Sequence, residues 1–202
     1  MPRSLFCLLL LLPLQLFSFN DTGVITIKYE GGLEKEVKIY KSETDTIPFA
    51  ITHWDWELDS IIPSYYTYSG TSIISYFCMG ESKTRYCIRK YTLPIQSFWI
   101  EKKSFIEFSS WEDWWKGWGQ SYLGDKDIIH ISPDDHSKTI KNTCACGVVG
   151  VDSLSGEWMK VSFDEVCGND EDAKCPLAKM KTPLWVRWRN GDEIFLAPYV
   201  AE

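Results

Sequence analysis

A chain of 202 residues with 28 acidic against 21 basic side chains carries a formal charge of −7. That balance excludes nucleic-acid binding as a main role, because neutralising phosphates takes clustered Lys and Arg. With 45% hydrophobic and 15% aromatic residues, the chain has the material for a packed core and not the composition of a disordered one.

The first residues, MPRSLFCLLLLLPLQLFSFN, place Arg3 before an apolar run over 5–17 and a polar change at Asn20 and Asp21. This is the pattern of a secretory leader over 1–18, predicted to be cleaved near Ser18. The apolar run is shorter than the roughly 20 residues a membrane span needs, and Pro13 and Gln15 interrupt it. The expected location is therefore secreted or periplasmic, with no integral span after the leader is removed. Asn20-Asp21-Thr22 is an N-glycosylation sequon, relevant only in a host that glycosylates its exports.

Beyond the leader and its Cys7 stand Cys78, Cys87, Cys144, Cys146, Cys167 and Cys175. An even set in an exported chain reads as disulfides. Cys78 and Cys87 lie in the strand-like runs SIISYFC and RYCIRKY, with MGESK between them, which predicts a cross-strand bridge. Cys144 and Cys146 share one face of a probable strand and reach Cys167 and Cys175 more easily than each other. The same four thiols could instead bind zinc, but the oxidising address favours bridges and no metal.

In chain order, GVITIKYEGGLEKEVKIYKS alternates apolar and polar residues around Glu30-Gly31-Gly32 and predicts a β-hairpin. In THWDWELD, Thr52, Trp54, Trp56 and Leu58 would share one strand face while His53, Asp55, Glu57 and Asp59 share the other. Such a row suits a solvated strand, but it also offers Asp55 and Glu57 as paired carboxylates for a secreted hydrolase acting on a wall polysaccharide. A second hairpin is expected over 71–91, then a strand through FWIEKKSFIEF.

One helix is predicted near 110–122, with Ser109 as N-cap and Glu112 three places on. Trp111, Trp114, Trp115 and Trp118 follow i, i+3, i+4, i+7 spacing, and Tyr122 continues the stripe. The pattern reads as a helix laid on a sheet with its tryptophans turned into the core. Gly117 and Gly119 each weaken the helix by up to about 1 kcal/mol. An early end there would leave Trp118 and Tyr122 as loop aromatics within reach of a ligand.

After Gly124 the strand-like segments are DIIHI, CACGVVGV, EWMKVSF and LWVRWRNGDEIFLAPY. Asn190-Gly191 predicts a two-residue turn that sets Arg189 opposite Asp192, Trp188 opposite Glu193, Val186 opposite Phe195 and Trp185 opposite Leu196. Trp185, Arg187 and Arg189 then fall on one face and are the candidate contact residues, since aromatic and arginine side chains dominate binding energies. The acidic loop Asp170-Glu171-Asp172 reads as solvated, because the helix-loop-helix calcium pattern would need a Glu where Lys181 stands. His136 sits in the turn PDDHS with Asp134 and Asp135. No serine elbow and no phosphate-cradling glycine loop occurs, and no cofactor is implied.

From about Gly124 onward, the strand DIIHISPDD, then Gly156, Trp158 and Val161, then Trp185-Val186, together resemble a bacterial Src-homology-3-like domain. The resemblance implies a small barrel that binds cell-wall peptides or other proteins, here with CGNDEDAKC inserted before Trp185 and Ile128 to Ile131 in place of the family's asparagine-valine-arginine core. The expected fold is mainly β (α+β), with a β-rich N-terminal domain over 19–123 and an SH3-like β-barrel over 124–202. The expected function is a non-enzymatic binding module for a cell-envelope component or a partner protein. The alternatives are the hydrolase on Asp55 and Glu57, and a secreted inhibitor or effector of a partner protein.

Overall fold

The computed structural model describes residues 21–29, 34–68, 72–92, 94, 96–124, 127–144, 147–163, 166–167, 170–191 and 193–199. Asn20, the predicted sequon, and the leader lie outside them. The strands β1 (Gly23–Lys28), β2 (Val37–Tyr40) and β3 (Ala50–Thr52) precede helix α1 (Asp55–Ile61). Next come β4 (Tyr66–Tyr68), β5 (Ile73–Glu81), β6 (Arg85–Arg89), β7 (Ser97–Glu101) and β8 (Ile106–Ser109). These eight strands form one sheet in the order β3-β2-β7-β6-β5-β1-β8, with β4 also paired to β5.

Helix α2 (Trp111–Trp118) then leads to β9 (Gln120–Tyr122), β10 (Ile129–His130), β11 (Thr139–Ile140), β12 (Val148–Ser155) and β13 (Trp158–Ser162). A two-stranded ribbon of β14 (Val166–Cys167) and β15 (Asp170–Lys174) follows, then a 3-10 turn at Pro176–Lys179 and β16 (Leu184–Arg187). Strands β17 (Arg189–Asn190) and β18 (Glu193–Ile194) form a last ribbon. The second sheet has six strands, ordered β11-β10-β16-β13-β12-β9. The topology is mixed α and β with most of the structure in sheets. In neither sheet do the two end strands pair, so neither closes, and the expected SH3-like β-barrel over 124–202 is not formed.

The Glu30-Gly31-Gly32 hairpin is also corrected. Both its strands exist, yet β1 pairs with β5 and β8, whereas β2 pairs with β3 and β7. Side-chain alternation marks a strand but does not choose its neighbour, and β1 is buried on both faces. Ile25, Ile27 and Tyr29 enter one core, shared with Ile39 of β2 and with Leu58 and Ile62 from the α1 region. Val24 faces the other way, into the core built around α2. FWIEKKSFIEF likewise forms two strands, β7 and β8, turned at Lys103, whose carbonyl accepts from Ile106 N–H at 2.9 Å.

The segment expected as a strand at 52–59 is helical from Asp55. Glu57 accepts from the backbone N–H groups of His53 at 2.7 Å and Trp54 at 3.4 Å, tying down the free amides of the helix start. Leu58 and Ile62, four apart, are fully buried, while Trp56 is 67% exposed. One helical turn thus sets Leu58 and Ile62 on the buried side and turns Trp56, which a strand would have placed on the same face as Leu58, out to solvent.

Helix α2 keeps the predicted stripe but shifts its start by one residue, since Ser110 is the N-cap and its hydroxyl accepts from Asp113 N–H at 3.1 Å. Gly119 ends it in the left-handed region at φ 72°, a conformation that costs glycine little. Trp111, Trp114 and Trp115 are buried. They join Val24 and Phe77 of the first sheet to Met159, Val161, Leu184 and Val186 of the second. Both sheets therefore share the core around α2.

Cys144 and Cys175 form a disulfide, with Cα atoms 4.4 Å apart. It joins the approach to β12 to the 3-10 turn, marks an oxidising, non-cytoplasmic environment, and removes two ligands from any four-thiolate zinc site. Cys146 and the side chain of Cys167 lie outside the described residues. Cys78 and Cys87 are free thiols, which corrects the expected bridge. A register shift between Cys78 and Gly80 sets Cys78 opposite Ile88 and Cys87 opposite Gly80, so neither cysteine faces the other across the ladder. Among the described residues, no helix is long and apolar enough to cross a membrane.

Candidate binding face

In the second sheet, alternation sorts side chains between the shared core and the opposite surface. Ile129, Met159, Val161, Leu184 and Val186 point into the core. Their chain neighbours His130, Trp158, Lys160, Trp185 and Arg187 lie on the opposite side of the sheet, where His130 and Trp158 are themselves buried and Lys160, Trp185 and Arg187 are half-buried. Register brings these together: His130 lies opposite Trp185, Trp185 opposite Lys160, and Trp158 opposite Arg187. His130 and Trp158 meet edge to face, with ring centroids 4.9 Å apart.

His130 is oriented from behind. Its Nδ1 lies 3.1 Å from Ser137 Oγ, and that hydroxyl donates to the Ser132 carbonyl at 3.1 Å.

Arg187 sits at the centre of a charged clamp. Its Nη2 donates to Glu157 Oε2 at 2.6 Å and Nη1 to Asp135 Oδ2 at 3.1 Å, while Asn190 Oδ1 takes a further contact at 3.3 Å. The guanidinium lies 5.9 Å from the Trp158 ring centroid. The Arg187 hydrogen bond, followed by the Gly191 N–H, holds the Glu157 carboxyl below its ordinary range, and Glu157 in turn raises Arg187. Beside the clamp opens a cleft of about 240 Å³, lined by Asp127, His130, Asp135 and Arg187, with the exposed Ile128 and Phe195 at its edge.

The three predicted contact residues take different positions. Trp185 and Arg187 share the outward face, Trp185 half-buried. Arg189 lies on β17, its guanidinium 4.9 Å from the Trp188 ring centroid. The predicted turn register is corrected by two residues, because Asn190 faces Glu193 and Arg189 faces Ile194, while Val186 faces Ile129 and Met159. Trp188 is the physical cause. Its indole is buried and donates to the Gly156 carbonyl at 3.1 Å, its N–H donates to Glu157 O, and Glu157 Oε1 accepts from Gly191 N–H.

Asp55 and Glu57 do not share a strand face. Two apart on a helix, they do not face each other, and Asp55 Oδ1 accepts from Trp56 N–H at 2.8 Å. The acidic stretch Asp170 to Asp172 has a described backbone within β15 only. His130 and Trp158 were not singled out as contact residues, although the alternation of Trp158 with Met159 and Lys160 carries the signal for the second.

No protein-family model, no curated protein and no solved structure matches the chain. With no matching family and no closed sheet, the Src-homology-3-like resemblance is overturned, and the ligands it implied lose that support.

Proposed function

We propose that the protein is an exported, non-enzymatic binding module, secreted or periplasmic, which holds a cell-envelope component or partner protein on the outward face of its second sheet. The observation that carries this reading is the pairing of half-exposed Trp185 with an Arg187 fixed by Glu157 and Asp135 beside a cleft. A guanidinium held in place before binding loses little freedom on contact, and an indole on the same face offers apolar area beside it. Exposed Ile128 and Phe195 add apolar surface at the edge of the same cleft. Binding is favoured over hydrolysis by paired carboxylates because Glu57 is engaged at the start of α1.

Surface-immobilised protein exposed to solubilised envelope fractions from the producing cells tests the reading. Trp185→Ala and Phe195→Ala should lower capture by about tenfold or more with the fold intact. Full capture by both variants would show that the ligand sits elsewhere.

A further inference from the structure

A second groove, of about 340 Å³, runs between α2 and the outer strands of the first sheet. Its volume falls in the range of small-molecule sites, about 300 to 1,000 Å³. The helix side presents Trp114, Gly117 and Trp118, at i, i+3 and i+4 on one face. Opposite stand Thr26 and Lys28 of β1 with Glu107 and Ser109 of β8. Thr26 and Glu107 are direct register partners, and Lys28 pairs with Glu107 at 2.6 Å.

Gly117 is the informative residue. A Cβ built there would meet nothing within 4 Å, and its backbone is helical, so neither packing nor a left-handed conformation inside the chain requires glycine. Alanine would strengthen the helix at that position. Trp114 and Trp118 meet edge to face with centroids 6.1 Å apart, and the missing side chain leaves a gap in the groove beside them. Trp118 is also braced by Tyr66 and Tyr68, which meet it edge to face at centroid distances of 5.1 and 6.2 Å.

One wall is thus aromatic and the other carries two hydroxyls and an ammonium–carboxylate pair. A pyranose ring has the same two-sidedness, with a C–H face that stacks on indole and a rim of hydroxyls that both donate and accept. We propose that this groove is a saccharide-binding site, separate from the outward face of the second sheet, with Trp118 as the stacking platform and Thr26, Lys28, Glu107 and Ser109 as hydrogen-bonding partners. Asp113 and Ile73 also line the groove, and with Lys28 paired to Glu107 an organic cation is the rival occupant that the test must separate from a glycan.

The test screens the full chain against an array of neutral, N-acetylated and acidic oligosaccharides and measures the tightest glycan by calorimetry. Trp118→Ala should weaken binding about tenfold or more. Gly117→Leu should abolish it by filling the gap while keeping the melting temperature at or above the parent's, and Trp185→Ala should leave it unchanged. Trp118→Ala decides the matter if the leucine variant fails to fold. Absence of any retained glycan, binding by the Trp118 and Gly117 variants equal to the parent's, or a tetramethylammonium-induced change in tryptophan fluorescence that Trp118→Ala removes, without glycan binding, would each overturn the assignment.

Discussion

Trp111 and Trp188 pack with ring centroids 4.9 Å apart and ring planes inclined at 57°. The first ring belongs to α2 and the second to the turn after β16, so the contact closes the core that α2 shares with both sheets. Trp115 also meets Trp188, edge to face, at 6.1 Å. Neither sheet keeps an independent packing of its α2 side.

Trp188→Ala should therefore destabilise the whole chain by about 3 to 5 kcal/mol, the usual cost of emptying a buried aromatic site. Urea unfolding followed by far-ultraviolet circular dichroism and by tryptophan fluorescence should give coincident transitions, because both sheets lose the same core. Separate transitions would show that the sheets unfold independently.

The pair Asp21–Arg89 lies almost wholly inside the protein, with Nε and Nη2 donating to the two carboxylate oxygens at 3.1 and 2.9 Å. The guanidinium also covers Phe77, 4.1 Å from its centroid. Asp21→Ala should cost about 3 to 5 kcal/mol by removing one partner of a buried, hydrogen-bonded ion pair, and the double variant with Arg89→Met should recover much of that loss. Chemical denaturation of the three variants gives the comparison.

Acid should weaken the clamp at Arg187. The Glu157 carboxyl is lowered from its ordinary value of 4.5 in the folded protein, so its stabilising contribution is complete above that value and is lost as pH falls through the lower folded one. The parent should lose more stability than Glu157→Gln between neutral pH and about pH 3. Thermal melts of the two proteins across that interval measure the difference, and parallel curves would deny the clamp its role.

Cysteine mapping by mass spectrometry should recover Cys144 linked to Cys175, and Cys78 and Cys87 as alkylatable thiols. Burial raises both free thiols above their ordinary range, so their alkylation at neutral pH should be slow until the protein unfolds. Cys175→Ser should cost about 3 to 4 kcal/mol, given the 31-residue separation the bridge spans. Recovery of a Cys78–Cys87 peptide would contradict the register at Gly80.

Local signals in the sequence were readable where they carried their own geometry. The tryptophan stripe at 111–118 was legible because i, i+3, i+4 spacing names a single helix face, whereas its partner Trp188 lies far along the chain and leaves no local trace. Glu57 three places after Trp54 did encode the start of α1, but the alternation of Trp54, Trp56 and Leu58 imitates a strand over the same residues, and the Leu58/Ile62 spacing fits one face of either element. Partner choice for β1 was hidden, since its apolar residues state that it is buried and not what lies beside it. At the candidate face, alternation set Trp185 and Arg187 on one side, while the approach of His130 and Trp158 depends on the registers of β10, β13 and β16 together.

The ladder positions of β1 bear on how the protein is made. This early strand hydrogen-bonds to β5, about 50 residues later, and to β8, about 80 residues later. A nascent chain cannot complete these ladders until Ser109 has been synthesised, so the ordering entropy of a long loop must be met before the pairing returns any stability. Slow, late assembly of this kind makes the interval before β8 arrives the period of greatest exposure to aggregation.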